Sequence, residues 1–203
     1  MVGLSFLCLA NTFYLVEVFH VYKARLIFFL FLNAAATCLA QTKEDSLLKV
    51  LSRQKEDTSK VSTLNSLAWE FYATNSNRSL NYAQKALNLA EKISDKKGSA
   101  SALNSIGIAY YFRGNYPEAL KNYVRAAAIL EGNGEVSPDR KKLGALYNNI
   151  AAILLAENNY QDAEKYFLKS LTIDGELGDK NGMAQSYNNI GTIYKDLSKY
   201  EKA

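Results

Sequence analysis

The sequence predicts an all-α fold, an array of stacked helix-turn-helix repeats, and three observations predict it. First, the stretch from Ala100 to Glu131 reads as two amphipathic helices hinged at Arg113-Gly114-Asn115. In the first, Leu103, Ile106, Gly107 and Tyr110 share a face by their three- and four-residue spacing; in the second, Leu120, Tyr123, Ala126 and Ala127 do. Second, the first-helix signature recurs, as Leu64-x2-Leu67-Ala68-x2-Phe71, Tyr147-x2-Ile150-Ala151-x2-Leu154 and Tyr187-x2-Ile190-Gly191-x2-Tyr194. Third, the second-helix signature Ala119-x3-Tyr123 returns as Ala163-x3-Phe167 and, more loosely, as Ser79-x3-Ala83. A hairpin this short cannot bury both faces alone, so copies stacked alongside must cover it. Small residues at Gly107 and Ala119 are expected to let the two helices approach closely.

The elements follow in order. Residues 1–40 are strongly apolar and hold both cysteines, Cys8 and Cys38, and the only histidine, His20. Lys23 and Arg25 precede the apolar run Leu26 to Leu32 and then Asn33-Ala34-Ala35-Ala36-Thr37-Cys38-Leu39-Ala40. A positive start, a short apolar core and a small-residue exit make a secretory signal peptide, with cleavage after Ala40 leaving Gln41 first. The competing reading is a membrane anchor, although the run falls short of the ~20 residues a span needs. Lipid attachment at Cys38 is disfavoured by the bulk of Thr37. Residues 1–22 do not fit the leader, because the apolar run Val2 to Phe19 precedes the charged pair; synthesis is expected to begin near Val21, with a start assigned too far upstream accounting for residues 1–20, the alternative being a membrane helix over 2–19.

Residues 41–60 are expected as a lead-in capping helix, with Leu47, Leu48, Val50 and Leu51 as its apolar side. The array then occupies 61–203, as repeats at about 61–95, 100–131, 144–176 and an incomplete 184–203. Thr58 or Ser59 is expected to cap the first repeat, and Asp95 and Asp179 the openings of later ones. Ser137-Pro138 reads as a capping residue followed by Pro at the first helical position, after the loop Gly132-Asn133-Gly134. Tyr200-Glu201-Lys202-Ala203 reads as the start of a further helix, without which Ile190, Tyr194 and Leu197 lack cover. The sequence is therefore expected to be a fragment of a longer protein.

These signatures resemble the tetratricopeptide repeat, with its Leu-Gly, Tyr, Ala and aromatic residues at fixed offsets. The resemblance covers about Val61 to Ala203 and implies a right-handed superhelix. The small residues at 68, 107, 151 and 191 stand 39, 44 and 40 apart, against the usual ~34. The closing Pro is also absent, Glu131 and Gly175 taking its place. Longer repeats with Asn-Asn-Ile-Gly/Ala are similar to the peptide-binding kinesin-light-chain type and to arrays of exported bacterial signalling proteins.

Chemistry is scarce. The 163 residues after Ala40 carry 22 Lys+Arg and 19 Asp+Glu, a formal charge of +3 with the signs interspersed. The densest basic run, Arg140-Lys141-Lys142, is the start of a helix, and no stripe supports nucleic-acid binding. With no Cys or His after Ala40, thiol nucleophiles, imidazole bases, disulfides and most zinc sites are excluded there. Gly132-Asn133-Gly134 lacks the Lys-Ser/Thr of a phosphate loop. Glu157 and Asp162 sit in a solvated turn, and Asn77-Arg78-Ser79 is read as a turn rather than a glycosylation site. No catalytic residue, metal ligand or cofactor is expected, and the chain is not expected to be an enzyme.

What such repeats do is bind. The resemblance places the first helices along a concave surface, facing a protein or peptide ligand. On their outward side stand Asn65, Asn104, Asn148 and Asn188, one per repeat, with Asn149 and Asn189 following. Each amide can donate to and accept from an extended backbone. The family's peptide-contacting asparagine corresponds best to Asn149 and Asn189, Ser66 and Ser105 standing at the matching sites of the first two repeats. Tyr111, with Trp69, Tyr72, Ile108 and Phe112, would add an apolar floor, the alternative being core. The other reading of the asparagines is helix–helix hydrogen bonding within the array. The function expected is an exported, periplasmic scaffold in the N-terminal part of a longer bacterial protein. The rival is the regulatory repeat region of a membrane histidine kinase or other enzyme whose catalytic domain lies beyond residue 203. Membrane contact is expected only through the N-terminal segment or through chain after residue 203.

Overall fold

The computed structural model describes residues 44–132 and 139–200, with the side chains of 199 and 200 left aside. The leader reading of residues 1–40 and the Ser137-Pro138 start signal lie outside the described residues. The chain divides into two compact units, Met1–Lys49 and Val50–Ala203. Among the described residues every regular element is helical: α1 (44–51), α2 (Thr58–Phe71), α3 (Ser76–Lys92), α4 (Lys96–Phe112), α5 (Tyr116–Glu131), α6 (Asp139–Ala156), α7 (Tyr160–Leu177) and α8 (Lys180–Tyr200).

The lead-in helix is shorter than its hydrophobic pattern predicts. It ends at residue 51, and 52–57 form turn and bend. The cap of α2 is accordingly Asp57, not Thr58 or Ser59: its backbone is extended and its carboxylate accepts from the Lys60 N–H at 3.1 Å. Asp95 and Asp179 do cap α4 and α8, accepting from Gly98 and Gly182. The second helices use asparagine in the same role, Asn75, Asn115 and Asn159 accepting from Arg78, Glu118 and Asp162. A carboxylate or amide oxygen at each such start satisfies a backbone donor the helix leaves orphaned. The motif-bearing first helices therefore begin at Lys96, Asp139 and Lys180, ahead of the repeat starts at 100, 144 and 184.

In the second and third repeats the turn between the two helices is made by a left-handed residue. Gly114 takes φ +72° between α4 and α5, and Asn158 takes φ +59° between α6 and α7. Both residue types tolerate that region. In α8 the equivalent residue is Ser198, whose hydroxyl bonds back to the Tyr194 carbonyl at 2.8 Å. The helix accordingly runs straight through to Tyr200, where a new helix was expected to begin. Tyr187, Tyr194 and Leu197 are exposed on it.

Packing alternates two layers. The A layer holds the first helices, α2, α4, α6 and α8; the B layer holds α3, α5 and α7, each packed between its sequence neighbours. The core between them is mostly aliphatic, with a few rings: Leu67, Ala68, Leu103, Ile106, Ile150, Ala151 and Ile193 come from the A layer, Ala83, Tyr123, Ala126, Ala163 and Phe167 from the B layer. Gly107 is needed for close approach, and its nearest neighbour across the seam is Tyr123. A Cβ on it would stand 2.5 Å from Cε1 of Tyr123, a ring only 3 % exposed. The tyrosine ring of α5 thus lies flat on the glycine of α4. Where glycine or alanine bares an A-helix carbonyl, a buried B-layer serine takes it: Ser79 donates to Ala68 at 2.8 Å and Ser170 to Gly144 at 2.9 Å. The ion pairs between B-layer helices of successive repeats, Arg125–Glu91 and Lys169–Glu131, are exposed and long at 3.8 and 3.9 Å, so they add little.

One buried acid works against the fold. Asp174 is 7 % exposed. Burial pushes its carboxyl above the ordinary range, the nearby Asp179 charge adding to this while Ser170 and Lys141 oppose it. A folded pKa above the unfolded one means the native chain holds that proton more tightly. The contribution to stability is then present at acid pH and lost as pH rises through the folded pKa. Asp174→Asn should therefore raise the melting temperature at pH 7. The gain should vanish below about pH 4, where both proteins carry a neutral group. Melts at the two pH values check it; an equal gain at both would mean that ionisation plays no part.

Candidate aromatic and amide face of the A layer

Outward positions of the A helices repeat in register with the small residue of each motif. Three residues before it stand Asn65, Asn104, Asn148 and Asn188; one residue after it, Trp69, Ile108, Ala152 and Thr192; four after it, Tyr72, Tyr111, Leu155 and Lys195. Residues so placed on a helix share a face, and consecutive A helices bring them alongside: α2 packs on α4, and α6 on α8.

Several predicted asparagines spend their amides on neighbouring A helices. Asn65 Nδ2 donates to the Gly98 carbonyl of α4 at 3.3 Å, and Asn189 Nδ2 donates to Asn148 Oδ1 at 3.3 Å across α8 and α6. Such pairs tie repeats together. The α4/α6 junction differs: these helices meet only marginally, and long side chains span it. Lys97 reaches Asp139 at 2.9 Å, and Lys142 donates to the Ser101 hydroxyl at 3.1 Å. Asn104 of α4 is half-buried, and its Oδ1 is buried with no hydrogen-bond partner. Asn149 is half-buried, and Asn188 is exposed with its carbonyl accepting from Thr192.

The aromatic residues come together more completely. Trp69 packs on Tyr72 with ring centroids 4.7 Å apart, Tyr72 on Phe112 at 5.4 Å, and Phe112 on Tyr111 at 5.8 Å, edge on. Tyr111 continues to Tyr116 of α5 at 5.6 Å. This chain of rings crosses from α2 to α4, yet Trp69, Tyr111 and Phe112 remain 54, 39 and 54 % exposed. Ile108, by contrast, is half-buried and packs against the core. The sequence showed each ring singly; that Tyr72 and Phe112 meet depends on the stacking of α2 on α4, which periodicity within one helix does not report. Among the described residues no group of acidic, Cys or His side chains could hold a metal ion, and no helix is long and apolar enough to cross a membrane.

Comparison with known proteins agrees with this architecture. Tetratricopeptide repeat protein 29 of Macaca fascicularis is 28% identical over 122 residues, 59% of this chain and 24% of the relative. The chain thus spans about a quarter of the length of that relative. Among solved structures, a signal transduction ATPase with numerous domains from Pyrococcus horikoshii, described as having a tetratricopeptide repeat sensor, superposes with a TM-score of 0.69 at 24% identity over 81% of this chain and 25% of its own. A Rap protein complexed with Competence and Sporulation Factor superposes with a TM-score of 0.63 at 22% identity over 75% of this chain and 42% of its own. The family model for the tetratricopeptide repeat matches residues 62–132 and 142–203. With paired helices, small-residue seams and two layers in the register that model describes, the chain belongs to the tetratricopeptide repeat family.

Proposed function

We propose that the chain is an exported, non-catalytic interaction scaffold that holds a protein or an extended peptide against the outward face of its A helices. The observation that carries this is the exposed run of rings from Trp69 to Tyr111. Packed rings left in water favour a partner that covers them. The ligand-bound Rap structure and the sensor array of the signalling ATPase support a binding and sensing role for this fold. Because that ATPase carries its array within a far longer chain, we assign the repeats to the N-terminal sensor part of a longer bacterial protein. We assign residues 1–40 to its leader, with the periplasm as destination.

Expression in a bacterium followed by N-terminal sequencing and capture from a random peptide library tests both halves. The chain should be recovered outside the cytoplasm beginning at Gln41, and it should retain peptides. Tyr111→Ala and Asn188→Ala should lower retention without moving the melting curve. Asn148→Ala should instead cost ~1 kcal/mol of stability, because Asn189 loses its acceptor. An intact cytoplasmic protein would overturn the export reading, and failure to retain any peptide or protein would overturn the scaffold.

A further inference from the structure

We propose a second binding site: the cleft between the ends of α3 and α5 and the start of α4 holds a small zwitterion with an apolar side chain, an amino acid or a short unblocked peptide. The cleft measures about 470 Å³, a size usual for small-molecule sites. Glu91, Ser94, Lys96, Ser99, Ala128 and Ile129 line it. Lys96 opens α4 and Phe112 closes it, so the cleft stands roughly 24 Å from the rings along that helix.

Register explains why the space is open. Counted from Gly107 and Ala151, the small residues of the two first helices, Lys96 corresponds to Arg140 and Ser99 to Leu143. Counted from Ala119 and Ala163 in the second helices, Gly132 corresponds to Glu176. In the third repeat Glu176 closes on Arg140, and Leu143 belongs to the core. In the second repeat Gly132 lines the cleft and brings no acid, so the Lys96 ammonium has no ion-pair partner among the described residues. Ser99 is only 6 % exposed, yet among the described residues its hydroxyl makes no hydrogen bond. A buried hydroxyl left unpaired is costly, and a ligand that bonds to it relieves that cost.

The lining selects the ligand's chemistry. Lys96 and the hydroxyls of Ser94 and Ser99 are donors, a set suited to a carboxylate. Glu91 calls for a cation. Arg125 stands off its Oε1 at 3.8 Å, beyond hydrogen-bond reach, so this carboxylate keeps the capacity to accept from an ammonium. Ala128 and Ile129 offer an apolar wall to a side chain, and Ile129 packs against the core. A ligand with a single charge would satisfy one of Lys96 and Glu91 and set a like charge in the same cleft as the other. A zwitterion answers both.

Calorimetry and ligand-observed NMR on the full chain test this with leucine and the dipeptide Leu-Leu. Two analogues complete the set: isocaproate lacks the ammonium, and isoamylamine lacks the carboxylate. At least one zwitterion should bind saturably, the tighter of the two giving the length the cleft holds. Both analogues should bind at least about tenfold more weakly. Lys96→Met and Ser99→Ala should each weaken the zwitterion several-fold without lowering the melting temperature. Gly132→Glu should abolish binding in a folded chain, because it sets the third repeat's acid against Lys96 at a position with room for a side chain. An analogue that binds as tightly as the zwitterions, or unchanged binding by Lys96→Met, would overturn the proposal. So would the absence of saturable binding by both methods, a result that leaves peptide retention on the ring-lined face, and with it the scaffold reading, standing.

Discussion

Replacing Gly107 with leucine should lower the melting temperature of the chain by about 6–12 °C. The site allows no room: the first added carbon would lie 2.5 and 2.6 Å from two ring atoms of Tyr123. That ring is 3 % exposed and belongs to the core, so it cannot swing into solvent as a surface side chain would. Overpacking of this kind costs up to ~3 kcal/mol, and each kcal/mol moves the midpoint by ~2–4 °C in a chain of this size. Alanine is a milder case, since Ala68 and Ala151 hold the same position in their own repeats and are wholly buried there. The matched control is Gly191 in α8, where an added carbon meets nothing within 4 Å. Gly191→Leu should leave the midpoint unmoved or raise it slightly, because glycine is a poor helix former. Equal midpoints for Gly107→Leu and the parent would mean that α4 and α5 do not pack through this seam.

The same glycine shows how far the sequence could be read. Its place in a repeated signature marks it as a seam residue, because only a small side chain recurs there: Ala68, Gly107, Ala151, Gly191. What it faces was not legible. Ala119 also lies on the inward side of α5, but the contact is made by Tyr123, one turn further on. Periodicity assigns a residue to a face; the axial offset between two helices comes from the turn that joins them. Caps show a similar division. Asp95 and Asp179 stand in like-sounding links and were recognisable, whereas Asp57 follows a lead-in helix whose end at residue 51 the apolar pattern did not mark. Two of the three asparagine caps carry a further signal, an acid three residues on in Asn115…Glu118 and Asn159…Asp162.

For the candidate face the limits are those of distance along the chain. The asparagine ladder was visible as one residue per repeat, but its hydrogen bonds join residues 33 and 41 apart. Whether an amide meets the next repeat or faces outward depends on how closely two A helices stand, which no single helix encodes. One hint was present: the 44-residue step between Gly107 and Ala151 is the longest, and it falls at the junction where α4 and α6 barely touch.

Phe167→Ala should be the most destabilising truncation in the B layer, costing ~3–5 kcal/mol and lowering the midpoint by about 6–20 °C. Phe167 is fully buried and, among the described residues, is the bulkiest side chain so enclosed. It stands in α7, which packs on both α6 and α8. Truncating it opens a cavity that rigid neighbours fill only in part. The loss should also be unevenly felt. Repeats in an array are stabilised chiefly by the neighbour they touch, so amides of α6, α7 and α8 should lose hydrogen-exchange protection before those of α2 and α3. The instructive comparison is Phe112, an equal ring that is 54 % exposed. Truncating Phe112 should leave the melting curve nearly where it was and be felt only by a ligand. If Phe167→Ala melts with the parent, or if exchange rises uniformly from α2 to α8, then the core does not run as a chain of neighbour contacts through the third repeat.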